Sequence, residues 1–324
     1  MSSEILVILV VALLLDRVVG DPDWLWSRLP HPVVFFGKAI AVLDGALNRH
    51  DALEPAALRL RGVVAIGLLL LASAVVGAVL HTLFGAMGLL GFLLEAVVVA
   101  VLLAQKSLGD HVGRVAEGLR HGGLEGGRAA VSMIVGRDPK TLDAPGVCRA
   151  AIESLAENFS DGVVAPAFWY AVAGLPGLLA YKMLNTADSM VGHKSPKYLH
   201  FGWASARLDD VANLPAARLS ILLIAAGALL RRGRVAAADA IGVALRDHGL
   251  HRSPNSGWPE AAMAGALDLQ LAGPRIYGGV RVSEPMINGP GRAIAESEDI
   301  DAGIAVFYGA CSVMTLAVLL IAMI

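Results

Sequence analysis

Long apolar runs dominate the chain, and alternating apolar–polar patterns of useful length do not occur. A membrane-spanning helix needs about 20 mostly apolar residues. Four runs predict such helices, over residues 5–19, 62–80, 83–104 and 303–324. Only a few residues around His81 separate the middle two, which predicts a tight helical hairpin. The pattern therefore predicts an all-α, polytopic integral membrane protein.

Two further apolar stretches do not read clearly as spans. Residues 163–180 have about the right length but are interrupted by prolines and glycines, whereas residues 220–230 are short and bracketed by arginines. Runs of this kind form core helices or re-entrant segments as readily as spans. We therefore predict four spans, with helices of this second kind carrying the functional residues.

The basic residues agree with four spans. Lys and Arg collect on the cytoplasmic side of membrane proteins, and four spans place the basic loops 20–61, 105–162 and 231–302 on one side. Six spans would isolate the basic segment 181–212 on the other side. We thus predict one membrane domain over 1–324, with both termini outside and a cytoplasmic catalytic region over 105–302.

Composition supports the membrane class and excludes several others. The chain is 56% hydrophobic and 17% charged, against roughly 25% charged in ordinary soluble domains. A net charge of −2 gives no basis for a nucleic-acid partner. Cys148 and Cys311 lie too far apart in sequence to define a disulfide framework or a metal site. The first residues lack a basic segment, so the first run predicts a retained span and not a removable signal peptide.

The first of three polar clusters lies in the otherwise apolar segment 151–218. Glu153, Glu157 and Asp161 recur at a spacing of four, which on a helix places three carboxylates on one face. Such carboxylates repel one another unless a cation, an arginine or lysine, or a substrate amine lies between them. Asn158 adds a neutral oxygen ligand. The alternative is a solvated acidic face.

The second and third clusters follow within the same segment. Asn185 and Asp188 offer two oxygens one helical turn apart, which suits Mg²⁺ shared with phosphate oxygens; the alternative is a helix N-cap. A third set contains Arg207, Asp210 and Asn213, with Asp209 adjacent. There the alternative is an exposed intrahelical ion pair of a few tenths of a kcal/mol.

Three weaker signals lie outside this segment. The turn G-R-D-P around Arg137 and Asp138 presents a cation for phosphate or carboxylate, or is a plain turn. The stretch S-P-N-S-G-W-P-E, residues 253–260, predicts a helix start that could receive phosphate, or merely a capped end. Asp16, Asp21 and His31 surround the exit of the first span.

Common catalytic and nucleotide-binding motifs are missing. The sequence contains no P-loop, no dinucleotide fingerprint after a strand, no H-E-x-x-H and no G-x-S-x-G. The residues alone therefore predict a membrane protein with a carboxylate- and amide-lined cytoplasmic site for Mg²⁺ and a phosphorylated ligand.

The motifs resemble those of the integral-membrane adenosylcobinamide-phosphate synthases of cobalamin biosynthesis, the CobD/CbiB family. The resemblance covers nearly the whole chain in order. It rests on these motifs: D-R-V-V-G-D-P (16–22), H-P-V-x-x-x-G (31–37), G-R-D (136–138), E-S-L-A-E-N-F-S-D-G-V-V-A-P (153–166), Y-K-M-L-N-T-A-D-S-M (181–190), A-R-L-D-D-V-A-N (206–213), S-P-N-S-G-W-P-E (253–260) and Y-G-G (277–279). Phe159 departs from the small polar residue expected there.

The resemblance implies a reaction. Aminopropanol, free or as its O-phosphate, is joined to a propionate carboxylate of adenosylcobyric acid, and ATP with Mg²⁺ is the expected means of activating the carboxylate. The lipid bilayer is the expected environment, in the inner (cytoplasmic) membrane with the site facing the cytoplasm. Other corrinoid-pathway membrane enzymes or a second copy of the chain are conceivable partners.

The resemblance also suggests roles for residues, which we state as hypotheses. The candidate catalytic residues are Glu153, Glu157, Asp188, Asp210 and Glu260. The trial metal ligands are Glu157, Asp161, Asp188, Asp209 and Asp210. The trial substrate-binding set is Arg137, Asp138, Asn158, Asn185, Ser189, Arg207, Asn213 and Asn255. Trp169, Tyr170 and Trp203 are candidates to line a pocket for the apolar corrin edge, or interfacial anchors.

Two alternatives use the same polar residues differently. A Mg²⁺-dependent prenyl- or phospho-alcohol transferase would use similar acid pairs, but the chain lacks the second aspartate-rich motif, D-x-x-x-D, usual in such enzymes. A transporter or membrane signalling protein would favour acids within spans and an internal repeat. Here the acids cluster outside the predicted spans and no repeat is evident.

Overall fold

The computed structural model describes residues 3–136, 138–277, 280–282 and 284–324, and these are overwhelmingly helical, which confirms the all-α class. The helices are α1 (Ser3–Val18), α2 (Asp23–Trp26), α3 (Pro32–Leu47), α4 (Pro55–Gly85), α5 (Leu89–Leu102), α6 (Gln105–Val131), α7 (Ala144–Phe159), α8 (Ala165–Val191), α9 (Trp203–Arg232), α10 (Arg234–Asp247), α11 (Gly257–Leu267) and α12 (Ser297–Ala322). Short 3₁₀ turns cover Pro139–Thr141 and His248–Leu250, and a π-helical turn covers Ser160–Val164.

Among the described residues after α11, four very short strands interrupt the helical pattern. They are β1 (Leu271–Ala272), β2 (Arg275–Tyr277), β3 (Val280–Val282) and β4 (Met286–Ile287). Strands β1 and β4 pair antiparallel, as do β2 and β3. Pro, Gly, Asn and Ser punctuate residues 252–291, a pattern that predicts mostly loop with one helix near 259–271. Helix α11 instead ends at Leu267, because Asp268 adopts a left-handed conformation at its C-terminus.

Within the described residues, five helical segments are long and apolar enough to cross a membrane. They are Pro55–Gly85, Leu89–Val131, Ala144–Val191, Trp203–Arg232 and Ser297–Ala322. The predicted span 62–80 lies within the first segment, and 303–324 matches the last segment except for its final two residues. The predicted span 83–104 begins too early, because the turn between Gly85 and Leu89 divides it. Both stretches that were ambiguous in sequence lie within these segments. The remaining predicted span, 5–19, corresponds to α1, whose 16 residues rise only about 24 Å.

The predicted hairpin forms, but its turn lies later than expected. His81 is inside α4, which continues to Gly85, and α5 begins at Leu89. Gly88 supplies the positive φ of 60° that reverses the chain immediately before α5. A glycine adopts this backbone conformation without the steric cost borne by other residues. The turn therefore lies at Gly88 and not at His81.

The chain folds into two compact units. The first comprises residues 1–104, 165–213 and 321–324, and the second comprises 105–164 and 214–320. In the first unit, α4 packs along α8, and α3 and α5 pack against both. A buried cluster joins α3, α4, α8 and the start of α9, with Ile40, Ile66, Leu184 and Ala204 among its members.

Helix α8 is interrupted within the first unit. Gly174 has φ 62° and ψ −155°, which are not helical values, and Pro176 follows within the first turn after it. Proline is compatible with the start of a helical segment but not with its interior. The residues that made 163–180 ambiguous in sequence are thus those that divide α8 into two segments.

In the second unit, α7 packs against α6 and α11, and α11 packs against α10. All residues of α11 are buried except Trp258. Phe159, the departure from the family pattern, is fully buried and makes an edge-to-face contact with Phe307, at 5.5 Å between ring centroids. Phe159 is therefore a core residue, and its departure leaves the candidate ligands unaffected.

The Asp247 carboxylate connects the end of α10 to the residue that follows β4 in the second unit. Asp247 accepts hydrogen bonds from Arg246 and from the backbone N–H of Asn288, at 2.7 and 2.8 Å. These bonds, first of all that from Arg246, hold the pKa of Asp247 below its ordinary value of 3.8. A group with a depressed pKa in the folded state stabilises that state above its unfolded pKa.

We expect this attachment to weaken as the pH falls below about 4, because Asp247 then becomes protonated as the pH passes through its lowered pKa. Hydrogen exchange at the Asn288 amide, measured between about pH 6 and about pH 3 and corrected for intrinsic exchange, should show protection lost on acidification. In Asp247→Asn the protection should be low throughout, with no pH step. An equal step in that variant would assign the effect to another group.

Candidate functional site

A buried acid–amide cluster in the first unit joins two of the sequence motifs. Asp209 of α9 is 8% exposed, and Asn213 is fully buried. The Asn213 amide donates to Asp209 Oδ2 at 2.9 Å, and Tyr181 Oη donates to Asn213 Oδ1 at 2.8 Å. The Asn185 amide approaches Asp209 Oδ1 at 3.5 Å. The α8 and α9 motifs therefore meet around one carboxylate.

Asp188 places a second negative charge beside this cluster. It is half-buried near the end of α8, close enough for its charge to act on Asp209. A Cβ on Gly192 would overlap Asp188 Oδ1, so glycine at position 192 leaves room for this carboxylate. The N-cap alternative for Asn185 and Asp188 is wrong, because both lie in the last turns of α8 and not at its start.

Arg207 and Asp210 lie at the outer side of the same helix. The Arg207 side chain is 68% exposed and its Nη1 is 3.6 Å from Asp210 Oδ2. This is the exposed intrahelical pair considered as the alternative, and it contributes little to stability. Its exposure also leaves the guanidinium accessible to an anionic ligand.

In the second unit, Glu153 and Glu157 have different partners. Glu153 is 5% exposed and accepts a hydrogen bond from the backbone N–H of Ala272 at 2.8 Å. Glu157 is half-buried and accepts one from Ser256 Oγ at 2.8 Å. Glu153 thus supports β1, where Ala272 has a positive φ of 62°, and Glu157 is oriented by the 253–260 loop.

The three predicted carboxylates do not lie in one uninterrupted α-helix. Helix α7 carries Glu153 and Glu157 and ends at Phe159, and Asp161 lies in the π-helical turn. A π turn closes its hydrogen bonds over five residues instead of four. The placement of Asp161 on the face shared by Glu153 and Glu157 stays a prediction.

The loop before α11 contributes two residues that the sequence did not single out. Ser256 bonds Glu157, and His251 Nε2 lies 3.6 Å from Glu260 Oε1. His251 Nδ1 accepts from the backbone N–H of Ser253, which favours the tautomer with its proton on Nε2, toward Glu260. Neither contact has a local sequence signal, because the partners are set by folding.

Asn255 and Glu260 of this loop are both buried. Asn255 is 5% exposed and its Oδ1 accepts a hydrogen bond from Arg218 at 2.9 Å. The Arg218 guanidinium also lies 5.1 Å from the Trp258 ring centroid. Glu260 is 1% exposed. The predicted helix start therefore forms a polar wall whose side chains are held by neighbours.

The remaining predicted residues make local contacts. Asp138 caps a 3₁₀ turn by accepting from Lys140 N, and Ser189 donates to the Asn185 carbonyl. Asn158 is exposed and donates to the Ser154 carbonyl. Arg137 lies outside the described residues.

The aromatic candidates for a corrin pocket behave differently from one another. Tyr170 is fully buried and donates to Glu95, so it is not open to a large ligand. Trp169 donates to the Ala212 carbonyl, whereas Trp203 is 44% exposed beside Arg59. Only Trp203 among the three presents a largely accessible ring.

The charges near the first span also make local contacts in the first unit. His31 accepts at Nδ1 from the backbone N–H of Val33 and so caps α3, while its Nε2 is 3.6 Å from Asp21. Asp16 is 3% exposed. This group anchors the connection from α1 to α3.

Of the acidic groups described above, the pair Asp188 and Asp209 is the one best suited to Mg²⁺. Across the described ranges, no group of three or more His, Cys, Asp or Glu is arranged to hold a metal ion. Mg²⁺ in phosphate-handling sites commonly takes only one or two carboxylates, together with waters and substrate phosphates. Asp188 and Asp209 satisfy that smaller requirement, and their mutual repulsion favours a cation between them.

Comparison with known proteins gives full-length matches. The sequence model of the CobD/CbiB protein family matches residues 9–307. A cobalamin biosynthesis protein CobD from a Sinorhizobium species is 82% identical over 324 residues, all of both chains. That of Brucella suis is 55% identical over 311 residues, 96% of this chain and 94% of the relative.

The similarity extends to more distant bacteria. The cobalamin biosynthesis protein CobD of Rhodobacter capsulatus is 47% identical over 314 residues, 97% of this chain and 96% of the relative. No solved structure matches the chain.

Proposed function

This chain belongs to the CobD/CbiB protein family, and from that premise we propose that it is the amide-forming enzyme of cobalamin biosynthesis. It joins aminopropanol or its O-phosphate to a propionate carboxylate of adenosylcobyric acid. The product is adenosylcobinamide or its phosphate. The observation that carries the proposal is the buried Asp209 cluster, which two motifs of the family resemblance build together.

The chemistry requires activation of a carboxylate. Amide formation from a carboxylate and an amine is unfavourable in water, so the propionate oxygen first attacks the γ-phosphorus of ATP. This step forms an acyl phosphate and releases ADP. The amine then attacks the acyl carbon, loses a proton and expels inorganic phosphate. An acid- and amide-rich site suits the handling of these phosphate groups.

The residues of the first unit are suited to the phosphate side of the reaction. Asp188 and Asp209 would hold Mg²⁺, which supplies positive charge to balance the ATP phosphates when bound. Asn185 and Asn213 fix the Asp209 carboxylate through their amides. Arg207, being exposed, would receive phosphate or propionate, and Asp210 would orient it.

The second unit, considered by itself, has residues suited to an amine. Glu157, oriented by Ser256, would bind an ammonium group, and Glu260 would accept a proton. His251 Nε2 lies 3.6 Å from Glu260 Oε1 and would help to orient this carboxyl group. Two further hydrogen bonds hold the surrounding segments in place. Glu153 accepts one from the backbone N–H of Ala272, and Asn255 accepts one from Arg218.

The membrane setting follows from the five apolar helical segments. We place the enzyme in the inner membrane as a multi-pass protein with its site toward the cytoplasm, where ATP and corrinoid precursors occur. The connection 233–296 lies between two of these segments, and its basic residues, among them Arg234 and Arg246, favour the cytoplasmic side for it. The proposed protein partners are other corrinoid-pathway enzymes in the same membrane or a second copy of the chain.

The decisive experiment is reconstitution of the reaction. Purified protein in nanodiscs is incubated with adenosylcobyric acid, ATP, Mg²⁺ and either aminopropanol or its phosphate, and products are identified by mass spectrometry. We expect the amide and one ADP per amide. Omission of ATP should prevent product formation, and the two amines compared at equal concentration should identify the preferred form.

The other reaction classes give different outcomes in the same assay. Consumption of a prenyl diphosphate without amide formation would identify a transferase. Uptake of a corrinoid into sealed vesicles without chemical change would identify a transporter. Either result would overturn the proposal.

Ser256→Ala is expected to lower the rate of amide formation by about tenfold. The substitution removes one hydrogen bond to the Glu157 carboxylate, and hydrogen bonds to charged groups contribute about 1.5–3 kcal/mol. Initial rates at saturating ATP provide the measurement. Ser132→Ala is the matched control, because Ser132 lies in the same unit and its Oγ donates to the local Ala129 carbonyl. An unchanged rate in Ser256→Ala would show that the hydrogen bond from Ser256 to Glu157 does not contribute to amide formation.

A further inference from the structure

A second polar cluster lies in the first unit and shares no residue with the proposed catalytic site. Glu95 of α5 is 2% exposed, and its carboxylate accepts a hydrogen bond from Tyr170 Oη at 2.7 Å. His81 Nδ1 lies 2.9 Å from the other oxygen of Glu95. An ionisable residue within an apolar spanning segment is costly, and such residues commonly mark binding sites or pathways.

This cluster opens into a cavity of about 340 Å³ next to the α4–α5 turn. Its lining includes two acidic residues, Glu4 of α1 and Glu95, and two aromatic residues, Phe84 and Phe92. The full lining is Glu4, Ile8, His81, Phe84, Gly85, Gly88, Leu89, Gly91, Phe92 and Glu95. None of these ten described residues is a lysine or an arginine.

The lining determines which ligands suit the cavity. Two carboxylates against one histidine disfavour an anion, and aromatic residues with carboxylates are the combination that binds organic ammonium groups. Hard metal ions require more ligands, and no described group of three or more His, Cys, Asp or Glu is arranged to hold one. The volume is near the lower end of ligand pockets, about 300 to 1,000 Å³.

We infer that this cavity binds a small organic ammonium ion, held by Glu4 and Glu95 and bordered by Phe84 and Phe92. Glu95 is fixed for this purpose by His81 and Tyr170. The cavity lies beside the turn between two spanning helices, so the ammonium group can come from a free amine or from an aminated lipid headgroup. The inference does not depend on the amide-forming reaction.

Isothermal titration of the purified full-length protein in detergent tests the inference. The probes are tetramethylammonium chloride and ethylammonium chloride, with sodium chloride at equal ionic strength as the reference. We expect saturable binding of at least one ammonium probe. Glu4→Gln should weaken it about tenfold, since one charged contact is lost, and Glu95→Gln should abolish it.

Two controls keep the result interpretable. Asp51→Asn removes a carboxylate that is 88% exposed and outside the cavity, so its binding should equal that of the unmodified protein. Glu4 is exposed, and Glu4→Gln therefore decides the matter even where Glu95→Gln fails to fold. Absence of saturable binding, or equal affinity in Glu4→Gln, would overturn the inference. The amide assay uses other residues and is unaffected by that outcome.

Nanodiscs distinguish the two sources of the ligand. The titration is repeated in phosphatidylglycerol alone and with phosphatidylethanolamine added. If the headgroup occupies the cavity, the added lipid competes and raises the apparent Kd of tetramethylammonium in the unmodified protein but not in Glu4→Gln. If free amines are the ligands, the apparent Kd is the same in both lipids.

Discussion

Asp188→Asn is expected to reduce amide formation by about 10²–10³-fold, the range observed when one preorganised electrostatic group is removed. The substitution keeps the shape of the side chain. It removes the charge of Asp188, one of the two carboxylates where the motifs of α8 and α9 meet. Initial rates at saturating substrates give the effect. Membrane insertion should be unchanged, because the variant places less charge in α8.

Two further variants sharpen this test. Gly192→Ala adds a Cβ that would overlap Asp188 Oδ1, so it should displace the carboxylate while leaving its charge. A large loss of rate in both variants would assign the effect to the position of the charge. Asp51→Asn is the control for removing a carboxylate in the same unit. Full activity in Asp188→Asn would exclude Asp188 from the mechanism.

Gly227→Leu is expected to destabilise the protein by about 3 kcal/mol or more, the upper end of the range for overpacking. A Cβ at Gly227 of α9 would overlap the Val306 carbonyl of α12 and approach Ala310 N. Gly309 lies on the other side of the same contact. Small residues allow membrane helices to approach this closely, and a larger one separates them.

Thermal unfolding in detergent and the yield of monodisperse protein provide the measurement. Gly242→Leu is the matched control, because a Cβ at Gly242 of α10 meets no atom within 4 Å. That variant should unfold at the same temperature as the unmodified protein or slightly higher, since leucine favours helices over glycine. Equal stability of the two variants would contradict the close α9–α12 contact.

Hydropathy predicted the class of this protein because a lipid environment constrains sequence strongly. Spanning helices need long apolar runs, and all backbone polar groups must be satisfied within them. Residues 62–80 and 303–324 lie within long helices as predicted. The stretch 220–230 was read as short because Arg218 and Arg231 bracket it, yet it belongs to the 30-residue helix α9. Charge at the ends of an apolar run does not end the helix.

The candidate site was predicted less completely, and the reason is sequence separation. Asn185 and Asp188 lie one turn apart in α8, as their local spacing predicted. The predicted face of Arg207, Asp210 and Asn213 does not form as one face, because Asn213 is buried with Asp209 whereas Arg207 is exposed. Glu157 meets a serine 99 positions away and Glu153 an amide 119 positions away. Local periodicity contains no information about such partners. The π turn at Ser160–Val164 likewise has no signal in the spacing that we used.

The Asp209–Asn213–Tyr181 hydrogen bonds have a consequence for biogenesis. A carboxylate at the centre of a spanning helix opposes insertion by about 2.5–3.5 kcal/mol on the translocon scale. That value is an upper bound for Asp209, which lies in the second turn of α9. Helix α9 carries Asp209 and Asn213 but obtains part of their hydrogen bonding from Tyr181 and Asn185 of α8. It follows that α9 enters the bilayer most favourably while α8 is still beside it. The chemistry of the site therefore makes these two helices partners during synthesis, before any substrate is present.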